Sequence, residues 1–130
     1  MKRTSGFTVI EIIVVIAFLG VASVLLLLQR NDLSAAQRDS QRKTAINAMY
    51  YNLEEAYYAK NGYYPDTINE SILPAMDPAL FTDPDGTKIN DTSAEYHYDA
   101  SNCQDSKCKS YKLTADMEKE ATYVKTSRHN

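Results

Sequence analysis

Hydrophobic residues are concentrated near the amino terminus. Residues 7–28 read FTVIEIIVVIAFLGVASVLLLL, a run of 22 residues in which Glu11 is the only charged side chain. About 20 consecutive apolar residues in a helix cross the hydrocarbon core of a bilayer. Lys2 and Arg3 precede the run, and basic residues mark the cytoplasmic flank of a membrane helix. The pattern predicts a membrane-spanning helix whose amino terminus is cytoplasmic, with the rest of the chain outside.

Beyond the apolar run the pattern becomes amphipathic. Residues 29–60 contain no Pro and no Gly and are rich in good helix formers. Apolar residues recur at spacings of three and four between Ile46 and Tyr57, which predicts one buried helix face. Arg42 lies outside this stripe. Because Gly62 supplies a left-handed cap, we expect the helix to continue from the apolar run to the end of this segment.

Residues 62–130 predict a small β region. Three segments alternate polar with apolar or aromatic residues, as strands of an antiparallel meander do: residues 95–98, 110–114 and 121–124. Residues 66–80 are expected to form a loop with a short helical turn at residues 68–73, which Pro74 and Pro78 break. Asp83–Gly86 is expected to form a tight turn. About 70 residues are too few for a robust core of their own. The predicted fold class is therefore α+β, with one long amino-terminal helix packed against a small antiparallel sheet.

The apolar run admits three interpretations. A secretory signal cleaved near Ser23 would leave the apolar residues 25–28 at the new end of the chain. A plain membrane anchor accounts for the length and the basic flank but not for Glu11, because a carboxylate within a span costs roughly 2.5–3.5 kcal/mol on insertion scales. The third interpretation is a membrane precursor that is processed near its amino terminus.

The first eleven residues, MKRTSGFTVIE, resemble the class III leader of type IV pilins and pseudopilins. In that family a short basic leader ends in Gly, Phe follows, and Glu is the fifth residue of the mature chain. The resemblance implies that a prepilin peptidase cleaves between Gly6 and Phe7 and that Phe7 is then N-methylated. In a filament the new amine would be buried among apolar helices, where an unpaired charge is costly. Glu11 is therefore assigned to assembly.

The resemblance also implies a domain organisation and a function. Residues 1–6 form the cleaved leader, residues 7–28 the membrane and filament-core half of the helix, residues 29–61 its amphipathic half, and residues 62–130 the small β region. The implied role is that of a structural subunit of a bacterial type IV pilus, used for adhesion, motility or DNA uptake. The subunit would wait in the inner membrane and then polymerise into an extracellular filament. Its expected partners are further copies of the chain, the prepilin peptidase, the inner-membrane assembly platform and the membrane.

Two other functions stay open. A major pseudopilin of a type II secretion system shares the leader and the helix. A membrane-anchored enzyme or sensor domain would need a pocket of convergent polar residues, and the sequence indicates none. We therefore expect no catalytic residues and no cofactor, and Arg128 and His129 are expected to form a frayed end. The net charge of −3 argues against nucleic acid as an obligate partner.

The two cysteines and an acidic turn are the remaining candidate sites. Cys103 and Cys108 are the only cysteines, and outside the cytoplasm a disulfide between them is favoured over zinc binding. We expect this bond to fix the loop between two strands. Asp83 and Asp85 are candidate calcium ligands on a Gly-containing turn, in a region where major pseudopilins have a calcium site. A solvated acidic turn without metal is the favoured interpretation, and the acidic turn favours a pseudopilin while the cysteine pair favours a pilus.

Overall fold

The computed structural model describes residues 6–129 of the chain, which divides into two compact units, residues 1–34 and 35–130. Both units contain part of one long helix. Its first and longest part, α1, spans Val9–Tyr51 and is followed by a π-helical segment, Asn52–Tyr58, and by a last turn, α2, Ala59–Asn61. The predicted continuous helix is confirmed. The change to π-helical geometry was not predicted.

The helix ends where the sequence indicates. Gly62 adopts a φ of 74°, in the left-handed region that a side chain would make unfavourable. Its N–H group donates a hydrogen bond of 2.7 Å to the carbonyl oxygen of Tyr58. This bond satisfies one of the carbonyl groups that the end of a helix leaves without an intrahelical donor.

Four antiparallel strands follow the helix. In chain order they are β1 (Tyr64–Pro65), β2 (Tyr96–Gln104), β3 (Lys107–Ala115) and β4 (Tyr123–Thr126). The central strand is β3, which pairs with β2 along one edge and with β1 and β4 at separate positions of the sheet. Asp105 and Ser106, with φ values of 50° and 62°, connect β2 to β3. Two consecutive positive φ values are typical of the tight turns that fit the twist of a hairpin.

The apolar face of the helix packs on the sheet within residues 35–129. Ile46, Met49 and Leu53 are completely buried. They belong to a core with large side chains from the strands, which are Tyr64, Tyr96, Tyr98, Tyr111 and Leu113. Burying each large apolar side chain contributes about 1.5–3 kcal/mol. The predicted α+β, type IV pilin-like architecture is confirmed.

Several local predictions need correction. A helical turn is present before Pro74, where the N–H of Leu73 donates to the carbonyl of Asn69 at 3.0 Å. Pro78 was expected only to break helical structure, but it begins a 3₁₀ helix, Pro78–Phe81. Proline is tolerated there because the first helical N–H needs no intrahelical acceptor, and the Asp77 carboxylate accepts the N–H of Ala79 at 2.9 Å. The turn at Asp83–Gly86 is confirmed, with the N–H of Gly86 donating to the carbonyl of Asp83 at 3.0 Å. Strands β2 and β3 are longer than predicted, β4 has the predicted length but begins two residues later, and β1 was not predicted.

Candidate functional site

The amino-terminal unit presents an apolar helix to its surroundings. The large hydrophobic side chains of residues 7–28 are between 48% and 75% exposed. The helix has an 18-residue window of mean hydropathy 2.9, and none of that window is buried. It is therefore long and apolar enough to cross a membrane, as a membrane anchor or a signal sequence would be. A soluble monomer rarely exposes so large a contiguous apolar surface.

The helix begins with a capping box formed by Thr8 and Glu11. The N–H of Thr8 donates to Oε2 of Glu11, and the N–H of Glu11 donates to Oγ1 of Thr8, each at 3.4 Å. This reciprocal pair gives the N–H of Thr8 a side-chain acceptor. It gives the N–H of Glu11, which also donates to the carbonyl of Thr8 at 3.0 Å, a second acceptor. Gly6 and Phe7 are exposed immediately before the box. The carboxylate assigned to assembly thus also caps its own helix, and the spacing Thr8-x-x-Glu11 was a sequence signal for this role.

Of the predicted leader, only Gly6 lies within the described residues. The structure brings Gly6, Phe7 and Glu11 to one end of the apolar helix, where the family resemblance places processing and assembly. Cleavage after Gly6 and N-methylation of Phe7 stay predictions.

The predicted disulfide between Cys103 and Cys108 is present. The two residues are directly opposite each other on β2 and β3, with Cα atoms 3.9 Å apart. Cys108 is buried and Cys103 is exposed. The cysteines do not flank a loop between strands; they lie on the paired strands themselves. The bond therefore closes the end of a hairpin whose turn is only two residues long.

The carboxylates of Asp83 and Asp85 bind protein donors. Asp83 is only 4% exposed, and its Oδ1 accepts the N–H groups of Asp85 and Thr87 at 2.9 Å. Asp85 accepts Nη2 of Arg42 at 2.8 Å. The interpretation of a solvated turn is therefore wrong for Asp83. Within residues 6–129, no group of three or more acidic, His or Cys side chains is arranged to hold a metal ion. Asp83 and Asp85 stay candidate calcium ligands and no more.

Arg42 is the buried centre of a charge cluster in which Asp39 is also buried, while the side chains of Glu118 and Asp85 are 34% and 55% exposed. The Arg42 side chain is 1% exposed, although its position outside the apolar stripe suggested a surface residue. Nη1 donates to Asp39 and to Glu118, each at 2.9 Å, and Nη2 donates to Asp85. Asp39 also accepts the main-chain N–H groups of Glu118 and Lys119 at 2.9 Å. Through these bonds, the loop that contains Asp85 and the loop that contains Glu118 and Lys119 are both attached to α1.

Hydrogen bonds in this cluster shift the acidic pKa values downwards. The bond from Arg38, followed by that from Arg42, lowers the pKa of Glu118 to about 2. Burial alone would raise the pKa of Asp39, but the main-chain donors of Glu118 and Lys119, and then Arg42, outweigh it and lower the pKa. The donors around Asp39 and Glu118 therefore stabilise the ionised form of each carboxylate more than its protonated form.

This cluster predicts loss of stability in acid. The folded pKa of Glu118, about 2, lies below its ordinary value of 4.5. A carboxylate whose pKa is lower in the folded than in the unfolded state stabilises the fold at pH values above its unfolded-state pKa. This stabilisation is lost as the pH falls through the folded-state pKa. We expect the free energy of unfolding of the full chain in detergent micelles to decrease between about pH 5 and pH 2. In Glu118→Gln this decrease should be shallower, whereas the matched change Glu70→Gln, at an exposed ion pair with Lys88, should keep the wild-type slope. Equal slopes in all three proteins would contradict the assignment.

Glu54 is a second buried carboxylate, which the sequence did not single out. It is 5% exposed and accepts the hydroxyl groups of Tyr64 at 3.0 Å and Tyr111 at 2.8 Å. Burial, and then the hydrogen bond to Glu54, raises the pKa of both tyrosines. Glu54 also accepts the N–H of Arg128 at 3.1 Å. The expectation that Arg128 and His129 form a frayed end is therefore wrong, because both are attached to the core.

The described residues thus show two distinct features. One is an exposed apolar helix that begins just after the predicted cleavage point, and the other is a set of buried polar clusters that fasten loops and the carboxy-terminal end to the helix. The second feature, together with the apolar core, belongs to the folded structure of residues 35–129. The exposed apolar helix packs against nothing within the described residues of its own unit. It is the candidate functional site. No protein-family model, curated protein or solved structure matches the chain.

Proposed function

We propose that the chain is a structural subunit of a bacterial type IV pilus. The precursor is inserted in the inner membrane with its amino terminus in the cytoplasm and residues 35–130 outside. Prepilin peptidase cleaves between Gly6 and Phe7, and the assembly platform then polymerises the subunit into an extracellular filament. The observation that carries the proposal is the exposed apolar helix directly after the sequence MKRTSGF.

An apolar helix that is exposed on every side needs a cover. Between Val9 and Leu28 the large hydrophobic side chains are all at least 48% exposed. A helix that is apolar all round is stable only in lipid or inside an assembly. Lipid provides this cover for the precursor. In a filament, the same surface of neighbouring copies provides it, so one sequence serves both states.

The second half of the helix explains why residues 35–129 remain folded in both states. Here only one helix face is apolar, and that face is occupied by the sheet. The transfer from membrane to filament therefore exchanges contacts of residues 7–28 and leaves the core of the β region unchanged. This division suits a subunit that moves between environments, and it requires no catalytic group.

A major pseudopilin of a type II secretion system is the second candidate. It shares the leader and the helix, so the amino-terminal unit supports both functions equally. The disulfide between Cys103 and Cys108 fits either candidate, because such a bond persists both in the bacterial periplasm and outside the cell. The acidic turn favours the pseudopilin through its candidate calcium ligands, Asp83 and Asp85.

The amino terminus of the mature protein tests the proposal. Mass spectrometry of the membrane-resident and filament forms should identify a peptide that begins at Phe7 and carries one methyl group on its amine. In a strain without prepilin peptidase the same peptide should retain residues 1–6. A mature chain that begins at Ser23 or later would indicate a secretory signal, and an unprocessed chain in the wild-type strain would indicate a plain anchor. Either result would refute the proposal.

A further inference from the structure

The helix changes its hydrogen-bonding pattern at a defined place. The π-helical segment, Asn52–Tyr58, lies between α1 and α2. Such segments are rare, are usually a single turn, and frequently mark functional positions. One residue more or less in a helix rotates everything after it by about 100°, because a turn contains 3.6 residues. The form of this segment therefore decides the direction in which the chain leaves the helix at Gly62.

The buried carboxylate of Glu54 lies inside this segment. Its two oxygens accept hydrogen bonds from three separate parts of the chain: Tyr64 of β1, Tyr111 of β3 and the main-chain N–H of Arg128. The first two donors belong to the sheet. The third belongs to the carboxy-terminal end, so the polar contacts that fix the segment come partly from residues beyond β4.

Arg128 bridges the junction between α1 and the π-helical segment. Its Nε donates to the hydroxyl of Tyr50 at 2.9 Å, on the α1 side, and its Nη1 donates to Glu55 at 2.5 Å, on the π-helical side. The guanidinium also lies 5.2 Å from the ring centre of Tyr50 and 6.0 Å from that of Tyr51. One side chain thus holds residues before and after the change of helix type.

The residues on either side of Arg128 complete the attachment. The N–H of Ser127 donates to the carbonyl of Tyr111 at 3.1 Å, and Oγ of Ser127 accepts the N–H of Tyr111 at 3.3 Å. The ring of His129 stacks on Tyr58, the last residue of the π-helical segment, with ring centres 4.3 Å apart and planes 3° apart. The N–H of His129 lies within 3.4 Å of the Tyr64 hydroxyl. Residues 127–129 therefore contact both ends of the segment.

We propose that residues 127–129 form a strap that holds the helix in its π-helical form. When the strap is released, the segment loses its bridge across the α1 junction, its stacking partner at Tyr58 and one donor to Glu54. It then relaxes towards α-helical hydrogen bonding, and the corner at Gly62 changes direction. The carboxy-terminal end is thereby a control element for the geometry of the helix end. This inference goes beyond the proposed function and does not depend on it.

Amide hydrogen exchange of the full chain in detergent micelles tests the strap. In a chain that ends at Thr126, exchange of the amides of residues 52–61 should be at least about tenfold faster. The amides of β2 and β3 should exchange at wild-type rates, except that of Tyr111, which loses its acceptor Ser127. Arg128→Ala should give the same pattern to a smaller extent. Lys125→Ala is the matched control, because Lys125 lies over the same Tyr50 ring, at 5.3 Å, from the neighbouring strand. It should leave residues 52–61 unchanged.

The position of the helical hydrogen bonds provides a second readout. NMR of the same proteins should show that residues 52–58 lose π-helical hydrogen bonds and gain α-helical ones when the strap is removed. If the truncated chain retains the π-helical pattern and the wild-type exchange rates, the proposal is wrong. It is also wrong if exchange accelerates uniformly in β2, β3 and residues 52–61, because the carboxy-terminal end would then contribute only to overall stability.

Discussion

Replacing Glu11 with Leu should leave the subunit in the membrane at its normal level and abolish surface filaments. The apolar span loses its only charge, so insertion becomes no harder. In the proposed filament, the amine of Phe7 would lie among apolar helices, and without a carboxylate its charge would have no partner. Opposite charges 4 Å apart attract by about 4 kcal/mol at an effective dielectric constant near 20, which is enough to select the position of one helix in the stack. Surface filaments are counted by electron microscopy, and membrane-resident subunit is measured by immunoblot.

Glu11 has two possible roles, as a charge partner and as a helix cap, and substitutions at Thr8 and Glu11 can distinguish them. Gln at position 11 can still accept the N–H of Thr8, as the amide does in other capping boxes, but it carries no charge. Glu11→Gln should therefore fail to assemble as completely as Glu11→Leu. Thr8→Val removes the hydroxyl acceptor and keeps the carboxylate, so it should assemble. Normal filament numbers in Glu11→Gln would show that Glu11 acts as a helix cap and not as a charge partner.

Replacing Arg42 with Met should destabilise the folded chain by roughly 3–5 kcal/mol, the range measured when one member of a buried ion pair is removed. Arg42 is 1% exposed and binds Asp39, Glu118 and Asp85. Without it, the buried carboxylate of Asp39 keeps its main-chain donors but loses its cation. The measurement is denaturant unfolding of the full chain in micelles, followed by circular dichroism.

Arg38 supplies the matched control for this change. It also binds Glu118, at 2.6 Å, but its side chain is 35% exposed. Solvent screens such a pair and both partners can be rehydrated. Arg38→Met should therefore have a much smaller effect than Arg42→Met. Equal effects of the two substitutions, or a wild-type unfolding midpoint for Arg42→Met, would contradict the view that burial makes this cluster important.

Local patterns in the sequence predicted the elements whose structure is decided locally. Gly62 ends the helix because of its own backbone freedom, and Asp83–Gly86 forms a turn through bonds within four residues. By contrast, β1 and the second half of β2 are defined by pairing with β3, and the residues of β2 beyond Tyr98 show no alternation of buried and exposed positions. A pattern of polar and apolar residues contains no signal for strands of this kind.

The buried polar clusters were missed for a similar reason. Glu54 meets Tyr111, 57 positions later, and Arg128, 74 positions later, while Arg42 meets Glu118 across 76 positions. Charged residues on a helix outside the apolar stripe are normally exposed, and only the folded arrangement of loops reveals that these are not. The π-helical segment follows the same logic, because it depends on contacts with residues 127–129.

The residues of the candidate functional site could be predicted from the sequence more easily than the buried polar clusters. Gly6, Phe7 and Glu11 lie within six residues of one another, so their arrangement does not depend on distant contacts. The capping box is equally local, because Thr8 and Glu11 are only three positions apart. The pairing of Cys103 with Cys108 was predicted from their expected compartment, although their place on paired strands was not.

Whether the chain polymerises outside the cell is the central question, and immunogold electron microscopy answers it most directly. Antibodies against residues 62–130 should decorate filaments that extend from wild-type cells along their whole length. The same antibodies should find no filaments in a strain without prepilin peptidase, although the precursor is present in its membrane. Label confined to the cell envelope of wild-type cells, with no decorated filament beyond it, would contradict the assignment as a pilus subunit.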